Sequence, residues 1–575
     1  MIIDISKRAL VIKENSGILE KNNISIWFEG YFFIGEEFYR DEKAVNYIFE
    51  RYLNITDGLS SLNGVFACLV IDKANKKVTI FNDKISFQSI CWSLNNNKDR
   101  LVISDNFWNV QKETEITDFD ETSVLEFLSY RFVSGKYTLL KNIYLIEPAS
   151  VYTIDYSKDE IDIKKKEWYK YHVTFKGHKD GAKELYDIQN AIFDKYKKVF
   201  GDKKIQLNLT GGLDSRYILG YLIKNNFDFA TNTFGTKQCE EIRYVKKLQK
   251  RFGFKANKIY LGKNFIKDFY SAQSVERLTH LIGYKTYYYQ GYFFDSLYKN
   301  KADYKAGDYM LTGDNGYILG LMYKDTVKDL KNCDELADYL VNSSLVMKHD
   351  GLKQISNTEK SIEEIHRLLK ERIKEELDES NDIFSEYLKW GLLNRERNYC
   401  DKNYLIYSKY TFPIYPNYDD SFFNFMLDCS VEELKNEQTY RDSMYKYHFT
   451  GVLKGLYDVP VDQRGKIKKI SEDNYNFVPE KTLYGKIRFL DTRFAERFNW
   501  HSNYLSIPFN LIHSYTIQKW GGVQRLLNDV FDGSSLLNGN IIKNAAKKGR
   551  RRFYAMNLSI LITIAEFEKL VRNNK

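Results

Sequence analysis

The chain has 575 residues, a formal net charge of +9 and six scattered cysteines. A chain this long can form two or three domains with a large core, and its mild charge gives no strong electrostatic footprint for nucleic acid. Cysteines without a C-x-x-C pair argue against zinc sites and a disulfide framework. The longest apolar run near the end, Leu558 to Ala565, is too short to span a bilayer, and the first residues lack a signal-peptide core. We therefore expect a cytoplasmic protein without membrane contact.

Residues 1–170 have the pattern of a strand-rich domain. Loose alternation from Ile24 to Phe33 predicts a strand, and helical spacing over residues 41–53 predicts a helix. Val65 to Ile71 and Lys77 to Phe81, separated by a short polar segment, predict a hairpin.

From about residue 180 the pattern changes to alternating helices and strands. Helices are predicted at 182–199, 214–224 and 240–252, and strands at 205–209, 228–234 and 256–260. This order predicts a parallel sheet with helices on both faces, whose ligands bind at the carboxyl ends of the strands. Residues 330–400 are predicted to be mainly helical.

One glycine-containing turn carries the strongest functional signal. The segment Thr210-Gly211-Gly212-Leu213-Asp214-Ser215 follows a predicted strand and opens the next helix. Glycines let backbone amides approach an anion, and the helix N-terminus adds a partial positive charge, so the turn can hold phosphates. Asp214 would lie where a carboxylate binds the Mg²⁺ that accompanies a nucleotide. The alternative is an ordinary turn between a strand and a helix.

This turn resembles the pyrophosphate loop (PP-loop) of the ATP pyrophosphatase superfamily, whose enzymes cleave ATP between its α and β phosphates. The resemblance implies ATP and Mg²⁺ as cofactors. It also implies an ATP site formed by Leu209, Thr210, Gly211, Gly212, Leu213, Asp214 and Ser215.

Motifs before residue 150 resemble the N-terminal domain of asparagine synthetases. They are Leu62-Asn63-Gly64-Val65-Phe66-Ala67, Asn82-Asp83-Lys84, Thr138 to Ile143 and Ile146-Glu147-Pro148. The resemblance implies an α/β protein with an Ntn-hydrolase-like antiparallel β-sandwich domain. A doubly wound parallel-sheet ATP pyrophosphatase domain (adenine nucleotide alpha hydrolase-like) with helical additions would follow. The predicted domains are a degenerate class II glutamine amidotransferase-like domain at 1–172, an asparagine synthetase-like ATP pyrophosphatase domain at 173–535, and a basic helical extension at 536–575.

One departure from this family concerns glutamine hydrolysis. Members that hydrolyse glutamine use a cysteine at position 2, whereas this chain has Ile2, and its nearest cysteine, Cys68, lies inside a predicted strand. Glu29-Gly30-Tyr31 stands where the family carries Asn-Gly-Glu. We therefore predict that the glutaminase half is inactive and serves as a scaffold.

The second half matches further motifs of the family. Phe234 would lie beside the adenine, and Thr312 and Gly313 would complete the ATP site. Lys466, together with Arg464, stands where the family has Arg-x-Lys. A fixed ammonium there would stabilise the departing pyrophosphate, and the alternative is a solvated surface lysine.

Tyr317 occupies the place of the family's second magnesium-binding aspartate. A phenol stays protonated at neutral pH and is a poor Mg²⁺ ligand. Either Asp314 replaces it as a metal ligand, or Asp214, water and the phosphates hold the metal. Tyr317, Arg216 and Arg397 are candidate substrate-binding residues. The alternatives are that Arg216 pairs with Glu241 on a helix surface and that Arg397 lies on a helix without a role.

The predicted function is an ATP-dependent carbon–nitrogen ligase. A carboxylate of a small molecule or peptide would attack the α-phosphate of ATP, and an amine would displace AMP from the acyl-adenylate. Asp314 is the candidate base that takes the amine's proton. The amine could be free ammonia, ammonia from a partner protein of a biosynthetic cluster, or a group of the substrate. We favour the last, as in the related β-lactam synthetases and lasso-peptide cyclases of specialised metabolite or peptide biosynthesis.

Other functions stay open at this stage. They are asparagine synthetase-type amidation with ammonia and a non-catalytic nucleotide-binding pseudoenzyme, which Tyr317 favours. A nucleic-acid modifier would need a basic stripe that converges on the loop. The basic runs Arg464 to Lys469 and Lys547 to Arg552 are more typical of solvated faces, so we expect no nucleic-acid partner.

Overall fold

The computed structural model describes most of the chain. The described residues are 1–15, 17–261, 271–283, 285, 291–292, 295, 308–314, 316–400, 404–457, 466–470, 477–481, 483–498, 528–548 and 552–574.

Two antiparallel sheets form the first part of the chain. Their strands are β1 (Ile2–Ser6), β2 (Ala9–Glu14), β3 (Ile18–Lys21), β4 (Ile24–Ile34), β5 (Glu37–Arg40), β6 (Asn63–Asp72), β7 (Lys77–Asn82), β8 (Cys91–Leu94), β9 (Arg100–Ser104), β10 (Tyr144–Leu145), β11 (Ser150–Asp155) and β12 (Asp162–Glu167). One sheet has the order β10-β8-β9-β1-β2. The other has the order β12-β11-β7-β6-β4-β3, with β5 paired to β4.

The two sheets stack face to face because their strands alternate in side-chain direction. Ile3 and Ile103 of the first sheet share one hydrophobic cluster with Leu69 and Ile80 of the second. The opposite face of the second sheet is covered by the helix Asp41–Arg51, whose Ile48 is fully buried. The predicted antiparallel sandwich is therefore confirmed.

The sequence patterns of this part located its elements well. The strand predicted from Ile24 to Phe33 is β4, and the predicted hairpin is the antiparallel pair β6 and β7. The helix predicted at 41–53 spans Asp41–Arg51. Cys68 lies inside β6, as expected, with no solvent exposure.

A five-stranded parallel sheet follows. Its strands are β13 (Ile205–Asn208), β14 (Phe229–Gly235), β15 (Lys255–Tyr260), β16 (Tyr309–Leu311) and β17 (Phe412–Ile414), in the order β15-β14-β13-β16-β17. All four neighbouring pairs are parallel. From β13 the chain adds β14 and β15 on one side, and then β16 and β17 on the other side of β13. The topological switch point therefore lies between β13 and β16.

Helices surround this sheet, and the predicted mainly helical character of residues 330–400 is confirmed. Besides Asp41–Arg51, the α-helices span Phe107–Thr114, Glu121–Tyr130, Gly181–Phe200, Leu213–Lys224, Glu240–Phe252, Ala272–Ile282, Ile318–Met322, Cys333–Ser344, His349–Ile355, Ile362–Lys374, Ile383–Trp390, Tyr404–Tyr410, Asp420–Asp428, Val431–Leu434, Gln438–Asp442, Leu483–Phe498, Gly539–Lys548 and Arg552–Asn573. The 3₁₀ turns are Ile55–Asp57, Leu59–Ser61, Asp325–Asp329, Pro416–Tyr418, Lys435–Glu437 and Gly451–Tyr457, and π-helical turns span Gly391–Cys400 and Ser443–His448. A two-stranded antiparallel ribbon joins β18 (Lys466–Ile470) and β19 (Phe477–Lys481).

The last helix packs into the interior instead of extending into solvent. Phe567 lies 5.4 Å from Phe107 and 4.9 Å from Trp108, measured between ring centroids. No helix in the described part of the chain has the length and apolar character that a bilayer crossing requires. The domain boundaries given above stay predictions.

Gly30 is a point where the sandwich tolerates no side chain. Its φ is +105°, and a Cβ atom there would lie 2.1 Å from the carbonyl oxygen of Val65 on the neighbouring strand. We expect Gly30→Ala to lower the free energy of unfolding by roughly 1–3 kcal/mol, because the backbone must leave its conformation or the strands must separate. Urea unfolding followed by tryptophan fluorescence measures this loss.

Gly58→Ala is the matched control, because the nearest atom to its added Cβ is 3.7 Å away and its φ is −101°. Equal unfolding midpoints for the two variants would contradict the strain argument.

Candidate functional site

Two loops meet at the switch point of the parallel sheet. The first follows β13 and contains Thr210 to Gly212, and the second follows β16 and contains Thr312 to Gly316. A Cβ atom on Gly313 would lie 2.9 Å from the carbonyl carbon of Asp214, and one on Gly316 would lie 1.9 Å from its Oδ1. The second loop therefore touches Asp214 at two positions where only glycine fits.

The first loop is a tight, hydrogen-bonded turn. The amide of Thr210 donates to Oγ of Ser215 at 3.1 Å, and the amide of Gly212 donates to Oγ1 of Thr210 at 3.1 Å. Leu209 before the turn is fully buried, and its carbonyl accepts a bond from Thr233 at 2.8 Å. Gly212 caps the helix Leu213–Lys224 without a side chain, which leaves the helix amino end open to an anion.

Asp214 lies on the first turn of this helix and is partly exposed. The pKa of its carboxyl group is raised to about 6, chiefly by burial, and the negative charges of Glu437 and Asp314 act in the same direction. The hydroxyl of Tyr440 opposes this shift, because it donates a 2.9 Å hydrogen bond to Oδ1. The carboxylate is therefore ionised at neutral pH but titrates just below it.

Asp314 is the second acid at the site. Burial raises the pKa of its carboxyl group to about 6, against hydrogen bonds from Thr312 and Tyr407. Its backbone carbonyl accepts a 3.0 Å bond from the side-chain amide of Asn417, which in turn accepts a bond from Tyr217. The second loop is thus fixed by the segment that follows β17.

Tyr317 points away from the first loop, toward the interior. It is 2% exposed and stacks on the ring of Tyr440, with centroids 5.6 Å apart and planes 3° from parallel. Its hydroxyl lies 2.9 Å from Sγ of Cys429 and donates to the carbonyl of Glu433 at 3.3 Å. Its substrate-binding role stays a prediction, and what the structure shows is a buried support behind Tyr440.

His178, Cys429 and Glu433 converge behind Tyr317, with donor atoms within 4.8 Å of one another. The Glu433 carboxylate already accepts bonds from the backbone amides of His178 and Ser430 and lies 3.1 Å from the His178 ring nitrogen. Burial raises the pKa of the Cys429 thiol to about 12, which disfavours the thiolate that binds metals. Glu433 forms the capping box of the helix Val431–Leu434 with Ser430, so its carboxylate already has a structural role.

Arg216 and Arg397 are both 1% exposed, so neither is a surface arginine. Arg216 donates to the carbonyls of Gly212 at 3.1 Å and Leu456 at 2.9 Å, and these two bonds connect the first loop to the 3₁₀ turn Gly451–Tyr457. Arg397 donates to the carbonyls of Gly135 at 3.3 Å and Ile146 at 3.1 Å. Both arginines brace the backbone, and their contact with a substrate stays a prediction.

The remaining predicted residues are distributed around these loops or lie beyond them. Thr312 and Gly313 belong to the second loop, and Phe234 is a partly buried residue of β14. Arg464 lies outside the described residues, as does the side chain of Lys466, whose backbone begins β18. Their predicted roles at the pyrophosphate are therefore untested.

The N-terminal domain lacks an activated thiol among its described residues. Ile2 belongs to β1, and burial raises the pKa of the Cys68 thiol well above its usual range. Cys91 is also fully buried. Because the thiolate is the reactive form, neither cysteine suits nucleophilic attack on glutamine.

The comparisons with known proteins concern this first part of the chain. Residues 46–169 match the model of a family described as a glutamine amidotransferase domain. The chain carries an amidotransferase-like domain. The match begins after position 2, so it does not test the prediction that Ile2 stands in place of a nucleophile, and the wider asparagine synthetase resemblance stays a prediction.

Two solved structures are similar to part of this chain. The allosteric regulatory enzyme of purine biosynthesis is 8% identical, with 38% of this chain and 47% of that chain covered and a TM-score of 0.18. Glutamine phosphoribosylpyrophosphate amidotransferase from B. subtilis, complexed with ADP and GMP, is 10% identical, with 38% and 48% covered and a TM-score of 0.17. This chain spans about half the length of either protein, and TM-scores this low support no inference. Comparison with curated proteins gives no match.

Sequence reasoning missed two residues that the structure brings to the site. Tyr440 holds Asp214, and Asn417 holds the second loop. Tyr440 is one of 45 tyrosines, and no local pattern singles it out.

We expect the protein to release no glutamate from glutamine, because its described thiols are buried and Cys68, Cys239, Cys333 and Cys429 have raised pKa values. A coupled glutamate dehydrogenase assay measures the release. The Cys400→Ser variant is the control, since the side chain of Cys400 lies outside the described residues. Glutamate release by both proteins would contradict the prediction.

Proposed function

We propose that this protein is an ATP-dependent ligase that forms an amide bond through an acyl-adenylate and releases AMP and pyrophosphate. The observation that carries the proposal is the meeting of two glycine-containing loops at the switch point of a parallel sheet, with Asp214 and Asp314 between them. Nucleotides bind such sheets at this point. The resemblance of the first loop to a pyrophosphate loop selects the reaction class.

The phosphates of ATP would lie against the amino end of the helix Leu213–Lys224. Gly211 and Gly212 have no side chains that would keep an anion from the backbone amides, and the helix contributes a partial positive charge. The bond from Thr210 to Ser215 fixes the curvature of the turn. The chain thereby positions the α-phosphate for attack by a carboxylate.

The oxygen donors of the site fit Mg²⁺. Asp214 is a partly exposed carboxylate on the rim of the phosphate cradle, and Mg²⁺ commonly binds through one or two carboxylates plus phosphates and water. Bound Mg²⁺ would neutralise the charge that develops on the departing pyrophosphate. Lys466 is proposed to add a second positive charge there.

Asp314 is proposed as the base for the second step. A carboxyl group whose pKa is about 6 is ionised at pH 7.5 and accepts a proton more readily than an ordinary aspartate. The incoming amine would transfer its proton to this carboxylate as it attacks the acyl-adenylate, and AMP would leave. Holding both partners in one cavity removes much of the entropic cost of this step.

The amidotransferase-like domain is proposed to act as a scaffold. Its Asn63 donates to Asp419 at 3.1 Å and accepts from the amide of Asp420 at 3.0 Å, while its Lys84 pairs with Asp420. These contacts hold the segment whose Asn417 fixes the second loop. We propose that the amine is part of the substrate, or ammonia delivered from elsewhere, in specialised metabolite or peptide biosynthesis.

A second candidate function is a nucleotide-binding protein without turnover. The observation that favours it is the burial of Tyr317 at the place of a second metal aspartate. Retention of Asp214 and the open helix amino end favours the ligase. The two candidates differ in pyrophosphate exchange, not in nucleotide binding.

The proposal predicts ATP–pyrophosphate exchange that requires Mg²⁺ and Asp214. With pools of carboxylates and peptides as substrates, Asp214→Ala should lower the exchange rate by more than roughly 100-fold, since loss of even an outer partner of a metal ligand costs 10–100-fold. Asp187→Ala is the control, because Asp187 forms an exposed ion pair with Lys183. ATP binding without exchange would favour the second candidate, and absence of ATP binding would refute both.

The exchange rate should also fall at acid pH. The carboxyl groups of Asp214 and Asp314 have pKa values raised to about 6, so each is ionised above this value and protonated below it. Cation binding requires the ionised carboxylate of Asp214, so the exchange rate should decline as pH falls from 7.5 to 5. Asp314 acts in the amine step, which the exchange reaction does not include. A flat pH profile over this range would contradict the role assigned to Asp214.

A further inference from the structure

We propose that Tyr440 is the positioning residue of Asp214 and makes this single carboxylate sufficient to hold the nucleotide's cation. The inference deepens the proposed function and rests on it. Tyr440 would not touch the nucleotide. It would act through Asp214 by fixing one carboxylate oxygen and leaving the other for the cation.

The Tyr440 side chain is held rigidly. It has no solvent exposure, and its hydroxyl donates to Oδ1 of Asp214 at 2.9 Å. Its ring stacks on Tyr317 and packs edge-on against Tyr217, with centroids 5.6 Å and 6.1 Å away. Because both neighbours hold the Tyr440 ring, its hydroxyl orients the Asp214 carboxylate with little further loss of side-chain conformational entropy.

Tyr317 extends this support into the interior. Its hydroxyl is anchored on Cys429 and on the carbonyl of Glu433. A Cβ atom on Gly320 would lie 2.5 Å from the Tyr317 ring, so this ring also has no room to move. The stacked pair therefore occupies the space beside Asp214 with a neutral hydrogen-bond donor instead of a second charge.

The surroundings of Asp214 explain why such a donor is needed. Glu437 and Asp314 both place negative charge near the carboxylate, and Gly316 closes the side of Oδ1. Among the described residues, Tyr440 is the side chain that donates a hydrogen bond to it. Without this bond the carboxylate would be free to rotate, and it would bind a cation less well.

The test is the Tyr440→Phe variant, which removes one hydroxyl and keeps the stacked ring. We expect the Mg²⁺ concentration that gives half-maximal binding of a fluorescent ATP analogue to rise roughly 10-fold or more.

Tyr221→Phe is the matched control. Tyr221 is a buried tyrosine on the helix that carries Asp214, and its hydroxyl donates only a 3.4 Å bond to the carbonyl of Tyr186. It should leave the Mg²⁺ dependence unchanged. In an Asp214→Ala background, Tyr440→Phe should have no further effect on Mg²⁺ dependence, because the group it positions is gone. Gly316→Ala, which displaces Oδ1 sterically, should reproduce the Mg²⁺ defect without altering Tyr440.

The outcomes separate this inference from the function on which it rests. If the wild-type protein binds no Mg²⁺–ATP analogue, the proposed function fails and the role of Tyr440 fails with it. If the wild type binds while Tyr440→Phe and Gly316→Ala keep its Mg²⁺ dependence, only the positioning role is refuted. An additional Mg²⁺ defect caused by Tyr440→Phe in the Asp214→Ala background would also refute it, because it would show that Tyr440 acts elsewhere.

Discussion

The candidate site depends on the contact between Asp214 and two glycines of a distant loop. Gly313 and Gly316 approach the aspartate so closely that any Cβ atom would overlap it. This contact joins the ends of β13 and β16, the two strands on either side of the switch point. It brings the first loop, Asp314 and the stacked pair of Tyr317 and Tyr440 into one small region. The chemistry proposed for the protein requires these groups to lie close together.

Buried polar contacts between the two halves of the chain stabilise this region. The hydroxyl of Tyr31 accepts a 3.0 Å bond from the amide of Tyr415, and Asn63 donates a 3.1 Å bond to Asp419. Arg397 is bonded to carbonyls of the N-terminal half. A buried polar group that loses its partner costs free energy, so these contacts support the scaffold role proposed for the amidotransferase-like domain.

Local patterns were sufficient for the elements that build the site. The sequence patterns predict three elements to within one residue at each end: β13, the helix Leu213–Lys224 and the helix Glu240–Phe252. Each has a strong periodicity and a glycine or acidic residue at its boundary, which are local signals. The position of Asp214 at the carboxyl edge of a parallel sheet followed from the alternation of strands and helices alone.

Side-chain orientation could not be predicted in the same way. Tyr317 is predicted as a substrate contact from its place in a motif, yet its hydroxyl lies against Cys429, 112 residues further along the chain. Tyr440 reaches Asp214 across 226 residues, and Arg216 turns inward to Leu456 across 240. The sequence by itself determined the strand–turn–helix unit, the isoleucine at position 2 and the acids available to the site. Only the tertiary structure decided which side chains meet, because contacts across such separations depend on how sheets and helices pack and leave no periodic signal in the chain.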